Sequence, residues 1–280
     1  SNFDSKLQVS INQILSEISK INNPRQTFFL WHDYLNLIGD IPDRLYDILN
    51  KKNIDTIVDA THSLPSTNYK CNNVVFGFRK LLNQPFGALL RTEKTQITPL
   101  NEISQIKLLK FLLVHKLRTN ILLLFKATDN NLVNYLLKRI IIFADFFSFD
   151  KNNYFLTNTF TYNKIFNLHK VLDYQKIGYI RKQNFLLYAK YFPQNLNISN
   201  LNVSCPFGFP LFVNNNKALR SHLWSKGVHS FLLWGSLHKD ASECNNKELH
   251  YLSKSIIILP INQDLTPNEI TKICEIINGY

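Results

Sequence analysis

The sequence is poor in the residues that define several simple protein classes. Its 280 residues include eight glycines, ten prolines and four cysteines. So little glycine and proline excludes collagen-like and low-complexity chains. Four widely spaced cysteines without a C-x-x-C pair exclude a disulfide scaffold and a cysteine-rich zinc module. We therefore expect isolated thiols in a reducing cytoplasm, and no metal site.

Methionine is missing altogether. The chain starts at Ser1 without an initiator methionine, so we expect a processed or truncated sequence. The most apolar stretch, residues 106–147, is interrupted by charged side chains and lacks the uncharged run of about 18 residues that a membrane-spanning helix needs. The first residues also lack the apolar segment and cleavage motif of a secretion signal, and we expect a cytoplasmic protein.

Hydrophobic residues make up 45% of the chain, enough to fill the core of one large or two ordinary domains. The 32 Lys and Arg residues exceed the 20 Asp and Glu residues, which gives a net charge of +12. This excess favours an anionic partner, such as nucleic acid, an acidic membrane face or a phosphorylated small molecule. Nucleic acid is the least favoured, because the basic residues are spread over the chain without a known reader motif.

Residues 27–59 predict a strand, a helix and a second strand. The apolar run 27–31 is β-prone, and the polar loop after it contains Gly39. Residues 40–49 offer an N-cap, an early proline and apolar residues at helical spacing, and residues 54–59 are again rich in β-branched side chains. This order is typical of a βαβ unit with a parallel sheet.

The rest of the chain predicts two more strands of this sheet and a separate C-terminal unit. The first of these strands covers residues 74–78, with Arg79 and Lys80 at its end, and the second covers 88–90. A turn at 84–87 separates them. A basic helix follows at 173–192. The last eighty residues alternate strands and helices, at 209–213, 217–226, 256–260 and from a capping box at 266–269 onward. We expect an α/β large domain over residues 1–170, with a helical extension, and a small α+β domain over 171–280.

Asp59 lies at the carboxyl end of the second predicted strand, and Lys80 lies at the carboxyl end of the third. Ligands of open α/β sheets collect at the carboxyl ends of the strands, so we expect both side chains to face one crevice. Such a pair suits pyridoxal 5′-phosphate (PLP), because a lysine can form a Schiff base with its aldehyde and a carboxylate can keep its ring nitrogen protonated. By spacing alone, a solvated ion pair is the more common interpretation.

Longer strings of residues change this balance. In the N-terminal part they are TFFLWH (27–32), IDTIVDATHS (54–63), FGFRKLL (76–82) and PFGALL (85–90). In the C-terminal part they are IRKQNF (180–185), CPFGFP (205–210), KGV (226–228) and ILPINQDL (258–265). In order and spacing they resemble the large and small domains of the fold-type I, PLP-dependent aminotransferases of the DegT type.

The resemblance implies an aminotransferase that uses PLP, an amino donor and a keto sugar or similar small carbonyl compound, in many relatives one carried on a nucleotide. It also implies a homodimer, because the related active sites are built across a subunit interface. Lys80 would form the internal aldimine and later move the proton at the substrate α-carbon. Asp59 would pair with the pyridine nitrogen.

The resemblance also implies roles for four further residues. His62 would lie beside the cofactor ring or its phenolic oxygen, or else be a turn histidine bonded to the backbone. Arg79 would offset phosphate or carboxylate charge, or else lie on the surface. His32 and Asn36 are candidate contacts of the ring or the substrate.

The chain departs from the family pattern at three places. Gly77 stands where relatives often have a serine whose hydroxyl binds phosphate, and Phe86 replaces an acidic residue before the glycine turn. The phosphate-gripping turn and helix N-terminus, expected upstream, are not found before Thr27. These departures leave an alternative function open, that of a non-catalytic relative acting as a binding or scaffolding subunit.

Overall fold

The computed structural model describes residues 9–24, 27–82, 88–93, 172–196, 201–232 and 247–280, together with isolated positions at 235 and 237 and between 113 and 140. The predicted domain boundary near residue 170 and the predicted turn at 84–87 lie outside these residues. Among the described residues, no helix is long and apolar enough to cross a membrane.

The N-terminal part forms a four-stranded sheet with short helices. Its elements are α1 (Ile11–Ser19), β1 (Phe28–His32), α2 (Asp43–Lys51), β2 (Asp55–Ala60), β3 (Val74–Gly77), α3 (Phe78–Leu81) and β4 (Ala88–Arg91). The strands lie in the order β1-β2-β3-β4, and β4 alone runs antiparallel to its neighbour. The prediction of an α/β fold with a mainly parallel sheet is confirmed.

One boundary differs from the prediction in a way that matters for the site. The third strand ends at Gly77, and Phe78 already begins a helical turn. Lys80 therefore lies on this turn, three residues beyond the end of β3, and not directly at a strand end. The parallel pairing of β3 with β2 ends at the partners Ala60 and Phe76, just before this turn.

The first core lies between α1, α2 and the sheet. Apolar residues of α2 at helical spacing, Leu45 and Leu49, are fully buried against the sheet, where Val58 of β2 is also fully buried. Trp31 closes the core at the end of β1, and its indole N–H donates to the carbonyl of Gly39 at 2.9 Å. Gly39 has a φ of +79°, a conformation that glycine adopts without the strain a side chain adds.

The C-terminal part has its own sheet and core. It contains α4 (Tyr174–Tyr191), β5 (Phe209–Phe212), α5 (Asn216–Ser225), α6 (Lys247–Ser255), β6 (Ile256–Leu259) and α7 (Pro267–Asn278). The two strands pair antiparallel. The predicted capping box is present, since the Thr266 hydroxyl accepts from the Glu269 backbone and the Glu269 carboxylate accepts from the Thr266 backbone.

The loop after β1, residues 33–37, joins the two parts. Tyr34, Leu35 and Leu37 are buried in the C-terminal core although they belong to the first forty residues. Leu35 and Asn36 both have positive φ, 57° and 54°, which is uncommon for residues other than glycine and marks strain for a side chain as bulky as leucine. Backbone bonds hold the loop in place, from the Phe207 N–H to Leu35 and from the Asn202 N–H to Leu37.

Candidate active site

The carboxyl ends of the three parallel strands meet at one edge of the sheet. His32, the last residue of β1, is the register partner of Asp59 on β2. The helical turn that carries Lys80 leaves from the end of β3 next to them. The structure thus brings His32, Asp59, His62 and Lys80 to the same edge.

Lys80 points back toward the turn after β2. Its Nζ lies 2.9 Å from His62 Nε2 and 3.2 Å from the hydroxyl oxygen of Thr61. The side chain is partly exposed. An amine in this position can be reached from solvent while both of its neighbours fix its direction.

His62 is 2% exposed, and both of its ring nitrogens have a polar neighbour within hydrogen-bond distance. The backbone N–H of Leu35 donates to Nδ1 at 3.1 Å, so the neutral imidazole carries its proton on Nε2. Burial lowers the pKa of His62 to about 2, and the nearby Lys80 and His32 act in the same direction. The ring is therefore neutral at ordinary pH, and its Nε2 faces the Lys80 amine at 2.9 Å. Phe207 stacks on the ring with centroids 4.6 Å apart and an angle of 5°.

Asp59 presents an ionised carboxylate at the same edge. One oxygen lies 3.1 Å from His32 Nδ1, and the other accepts from the Thr61 N–H at 3.0 Å. Burial by itself would raise the pKa of Asp59, but the contacts with His32 and Thr61 outweigh it and hold the pKa well below its ordinary value. The carboxylate is one third exposed and can still meet a cationic partner.

Three aromatic rings line the space between these groups. The His32 ring lies edge-on to the rings of His62 and Tyr34, with centroids 5.2 and 6.0 Å apart. This arrangement links the carboxylate to the amine through two neighbouring imidazoles, from Asp59 to His32, to His62 and to Lys80.

The other predicted residues have different positions. Asn36 is fully buried and its amide donates to the Cys205 carbonyl at 2.8 Å, so it fastens two chain segments. Arg79 lies on α3 directly before Lys80, and its role stays a prediction. Phe86 lies outside the described residues. For His62, the backbone N–H of Leu35 binds one ring nitrogen and Lys80 lies next to the other, and a contact with a cofactor ring stays a prediction.

A buried network holds the loop that supports His62. Asp33 is fully buried, and its carboxylate accepts from the backbone of Ile38 and Gly39 and from the hydroxyls of Ser63 and Tyr69. Burial raises the pKa of Asp33, and these hydrogen bonds partly oppose that shift. The network fixes the residues on either side of Leu35, whose N–H determines the tautomer of His62.

The C-terminal part also reaches the site. Arg181 on α4 is 1% exposed, and its guanidinium donates to the carbonyls of Pro206 and Phe207 at 2.9 and 2.6 Å. It also donates to the Gln263 side chain, whose amide donates to the Leu81 carbonyl on α3. The segment that carries Phe207 and the turn that carries Lys80 are thus held by one set of polar contacts.

Sequence reasoning missed two members of this cluster, Thr61 and Phe207. Phe207 lies 145 positions after His62 in the chain, and no local pattern relates the two. Thr61 stood within a matching string, but nothing in a single sequence indicates that its hydroxyl faces the lysine.

Among known proteins, the chain matches solved structures but no known sequence family. No protein-family model and no curated protein sequence matches the chain. Among solved structures, the chain is similar to AtS13 from Actinomadura melliaura, at 14% identity and a TM-score of 0.61, over 100% of this chain and 73% of the other. It is also similar to the sugar aminotransferase CalS13 from Micromonospora echinospora, at 13% identity and 0.58, over 99% and 73%.

A third similar structure is a DegT DnrJ EryC1 StrS aminotransferase from Brucella abortus, at 12% identity and a TM-score of 0.56, over 98% of this chain and 70% of the other. The TM-scores of these three structures show that they share their architecture with this chain, and at identities this low the similarity extends to the fold alone. The chain therefore has the α/β fold of the fold-type I, PLP-dependent aminotransferases, as the sequence resemblance implied.

Proposed function

We propose that the chain is a PLP-dependent aminotransferase in which Lys80 binds the cofactor covalently and Asp59 pairs with its ring nitrogen. The observation that supports this most is the juxtaposition of an amine and an ionised carboxylate at one sheet edge, in a chain with this fold. Neither group alone would point to the activity.

The donor set of the cluster fits PLP. The cofactor needs an amine for its aldehyde, an anion for its protonated ring nitrogen and a hydrogen-bond donor for its phenolic oxygen. Lys80 supplies the amine and Asp59 the anion, and His62 keeps a proton on Nε2 at the same edge. When bound, PLP supplies the electron sink that stabilises a carbanion next to the substrate nitrogen.

The residues of this chain would each hold or move one proton. Lys80 Nζ is the nucleophile toward the cofactor and the base for the proton on the substrate carbon, and both tasks need an uncharged amine. His62 Nε2–H favours that form, because it donates to the amine lone pair. Asp59 remains ionised at neutral pH. It would keep the ring nitrogen of the cofactor protonated.

The substrate proposed is a keto sugar or similar carbonyl compound, and an amino acid would be the amino donor. CalS13, one of the similar structures, is described as a sugar aminotransferase. The net charge of +12 is compatible with a phosphorylated or nucleotide-linked sugar. A homodimer in the cytoplasm remains part of the proposal.

Two assays test the function. The first measures equilibrium binding of PLP, and the second measures transfer of the amino group from a panel of amino acids to the bound PLP. The wild-type chain should bind PLP saturably and convert it to the pyridoxamine form. Lys80→Ala should lose both, whereas Lys70→Ala, which removes a surface lysine paired with Asp43, should lose neither. Asp59→Asn should still bind but transfer at least about 100-fold more slowly, since an amide cannot stabilise the protonated ring nitrogen.

The same assay separates the alternative function. A wild-type chain that binds PLP no better than Lys80→Ala does would contradict the aminotransferase proposal and favour a non-catalytic binding or scaffolding subunit.

A further inference from the structure

Thr61 touches both groups on which the proposed function depends. It lies in the turn after β2, between Asp59 and His62. Its backbone N–H donates to Asp59 Oδ1 at 3.0 Å, and its hydroxyl oxygen accepts from Lys80 Nζ at 3.2 Å. One residue thus fixes the carboxylate with its backbone and the amine with its side chain.

Gly77 provides the space for this turn. Ala60 and Phe76 are the last register partners of β2 and β3. Thr61 and Gly77 are the next residues after these partners, so they lie side by side. A Cβ placed on Gly77 would lie 3.0 Å from the Thr61 carbonyl oxygen and 3.1 Å from the Thr61 Cβ, closer than ordinary carbon contacts. A side chain at position 77 would therefore require Thr61 to shift by a few tenths of an ångström.

The amine of Lys80 has a donor on one side and an acceptor on the other. His62 Nε2–H faces it at 2.9 Å, and the Thr61 oxygen accepts one of its protons at 3.2 Å. Among the described residues, the titratable groups near the amine include His62 and, next to it, His32 and Asp59. Removing the Thr61 oxygen would take away the acceptor that lies 3.2 Å from the amine.

We propose that Thr61 is a positioning residue that orients the Lys80 amine for reaction, and that Gly77 is required because it lets Thr61 approach. This role rests on the proposed function for its purpose, but the contact itself does not depend on a cofactor. Thr61→Val, which keeps the shape and removes the hydroxyl, therefore tests it, and Thr61→Ser is the control that restores the oxygen.

The first measurement uses the cofactor-free chain. Acetic anhydride at trace concentration labels lysines, and peptide mass spectrometry gives the rate at Lys80 relative to Lys70 across a pH series. An oxygen acceptor stabilises a charged ammonium more than a neutral amine. In Thr61→Val the Lys80 profile should therefore move to lower pH, with labelling about tenfold faster below its midpoint. Gly77→Ala should give the same change, and Thr61→Ser the wild-type profile.

The second measurement is the rate at which Lys80 captures PLP, trapped with borohydride. Thr61→Val should capture PLP about tenfold more slowly although its amine reacts faster with the small reagent, because the amine is no longer held in direction. General loosening of the fold would instead accelerate both reactions.

An unchanged Lys80 profile in Thr61→Val, or a Thr61→Ser variant that behaves like Thr61→Val, would overturn the inference. If the wild-type chain captures no PLP, the proposed function fails, and the labelling profiles still decide whether Thr61 holds the amine.

Discussion

Replacing His62 with asparagine should make the protein less sensitive to acid. His62 is buried, and its pKa is lowered from 6.5 to about 2 because the interior disfavours the charged ring. In the unfolded chain the same ring takes up a proton near pH 6.5. Between these two values the unfolded state binds one more proton than the folded state, so the free energy of unfolding falls as the pH falls.

The size of the effect follows from this difference. Each pH unit below 6.5 removes about 1.4 kcal/mol, so the wild-type chain should lose about 2.7 kcal/mol from this group by about pH 4.5. Asp59 adds little in this window, because its stabilising effect is lost only as the pH falls below the ordinary value of 3.8. Asp33 has a raised pKa, so its protonation at low pH stabilises the folded state. This opposes the loss of stability to the same extent in the wild type and in His62→Asn.

Asparagine is the informative substitution at this position. Its side-chain oxygen can take the place of Nδ1 and accept from the Leu35 N–H, but it cannot titrate. We expect the variant to be about 1–2 kcal/mol less stable at neutral pH, because it loses the ring stacked on Phe207. Its stability should then vary with pH less than that of the wild type.

Urea unfolding at about pH 7.5 and about pH 4.5 measures the difference. The loss of stability between the two conditions should be about 2–3 kcal/mol smaller in His62→Asn than in the wild type. His222→Asn, at a partly exposed ring next to Tyr280, is the matched control and should keep the wild-type dependence. Equal losses in the wild type and His62→Asn would refute the argument that His62 is buried as the neutral ring.

Two further substitutions test the contacts around the site. Arg181→Leu leaves the carbonyls of Pro206 and Phe207 without their donor and should lower the free energy of unfolding by about 3 kcal/mol. Lys182→Leu, at the exposed neighbouring position, is the control and should change it by less than about 0.5 kcal/mol. Equal effects of the two substitutions would contradict the contacts described for the guanidinium. Thr266→Ala should lower it by about 1 kcal/mol in urea unfolding through loss of the α7 cap, and Thr266→Ser should restore it; no change in the alanine variant would argue against the capping box.

The sequence predicts most elements of the sheet because their signals are local. The β-branched run ending at Asp59 and the Pro-Asp start of α2 each contain their own information, and the structure places strand and helix there. The capping box at Thr266 is similar, since two positions three residues apart, Thr266 and Glu269, specify it. Helices α1 and α6 were not predicted, since they are short and their stability depends on the cores they cover.

The arrangement of the site could be predicted only in part. The rule that ligands collect at strand ends brings Asp59 and Lys80 to one edge, and the structure places them there. The bond from Leu35 to His62 and the stacking of Phe207 on the same ring depend on a strained loop and on the packing of the C-terminal part. Contacts of that kind are set by the whole fold and have no signature in a short stretch of sequence.

The proposed function depends most on Lys80 being the lysine that binds PLP. The most direct measurement is peptide mass spectrometry of the wild-type chain after incubation with PLP and reduction with borohydride. One reduced cofactor is expected on the peptide that contains Lys80, none on the peptide that contains Lys70, and none on the corresponding peptide of Lys80→Ala. A cofactor spread over several lysines, or still attached to the Lys80→Ala chain to the same extent, would contradict it.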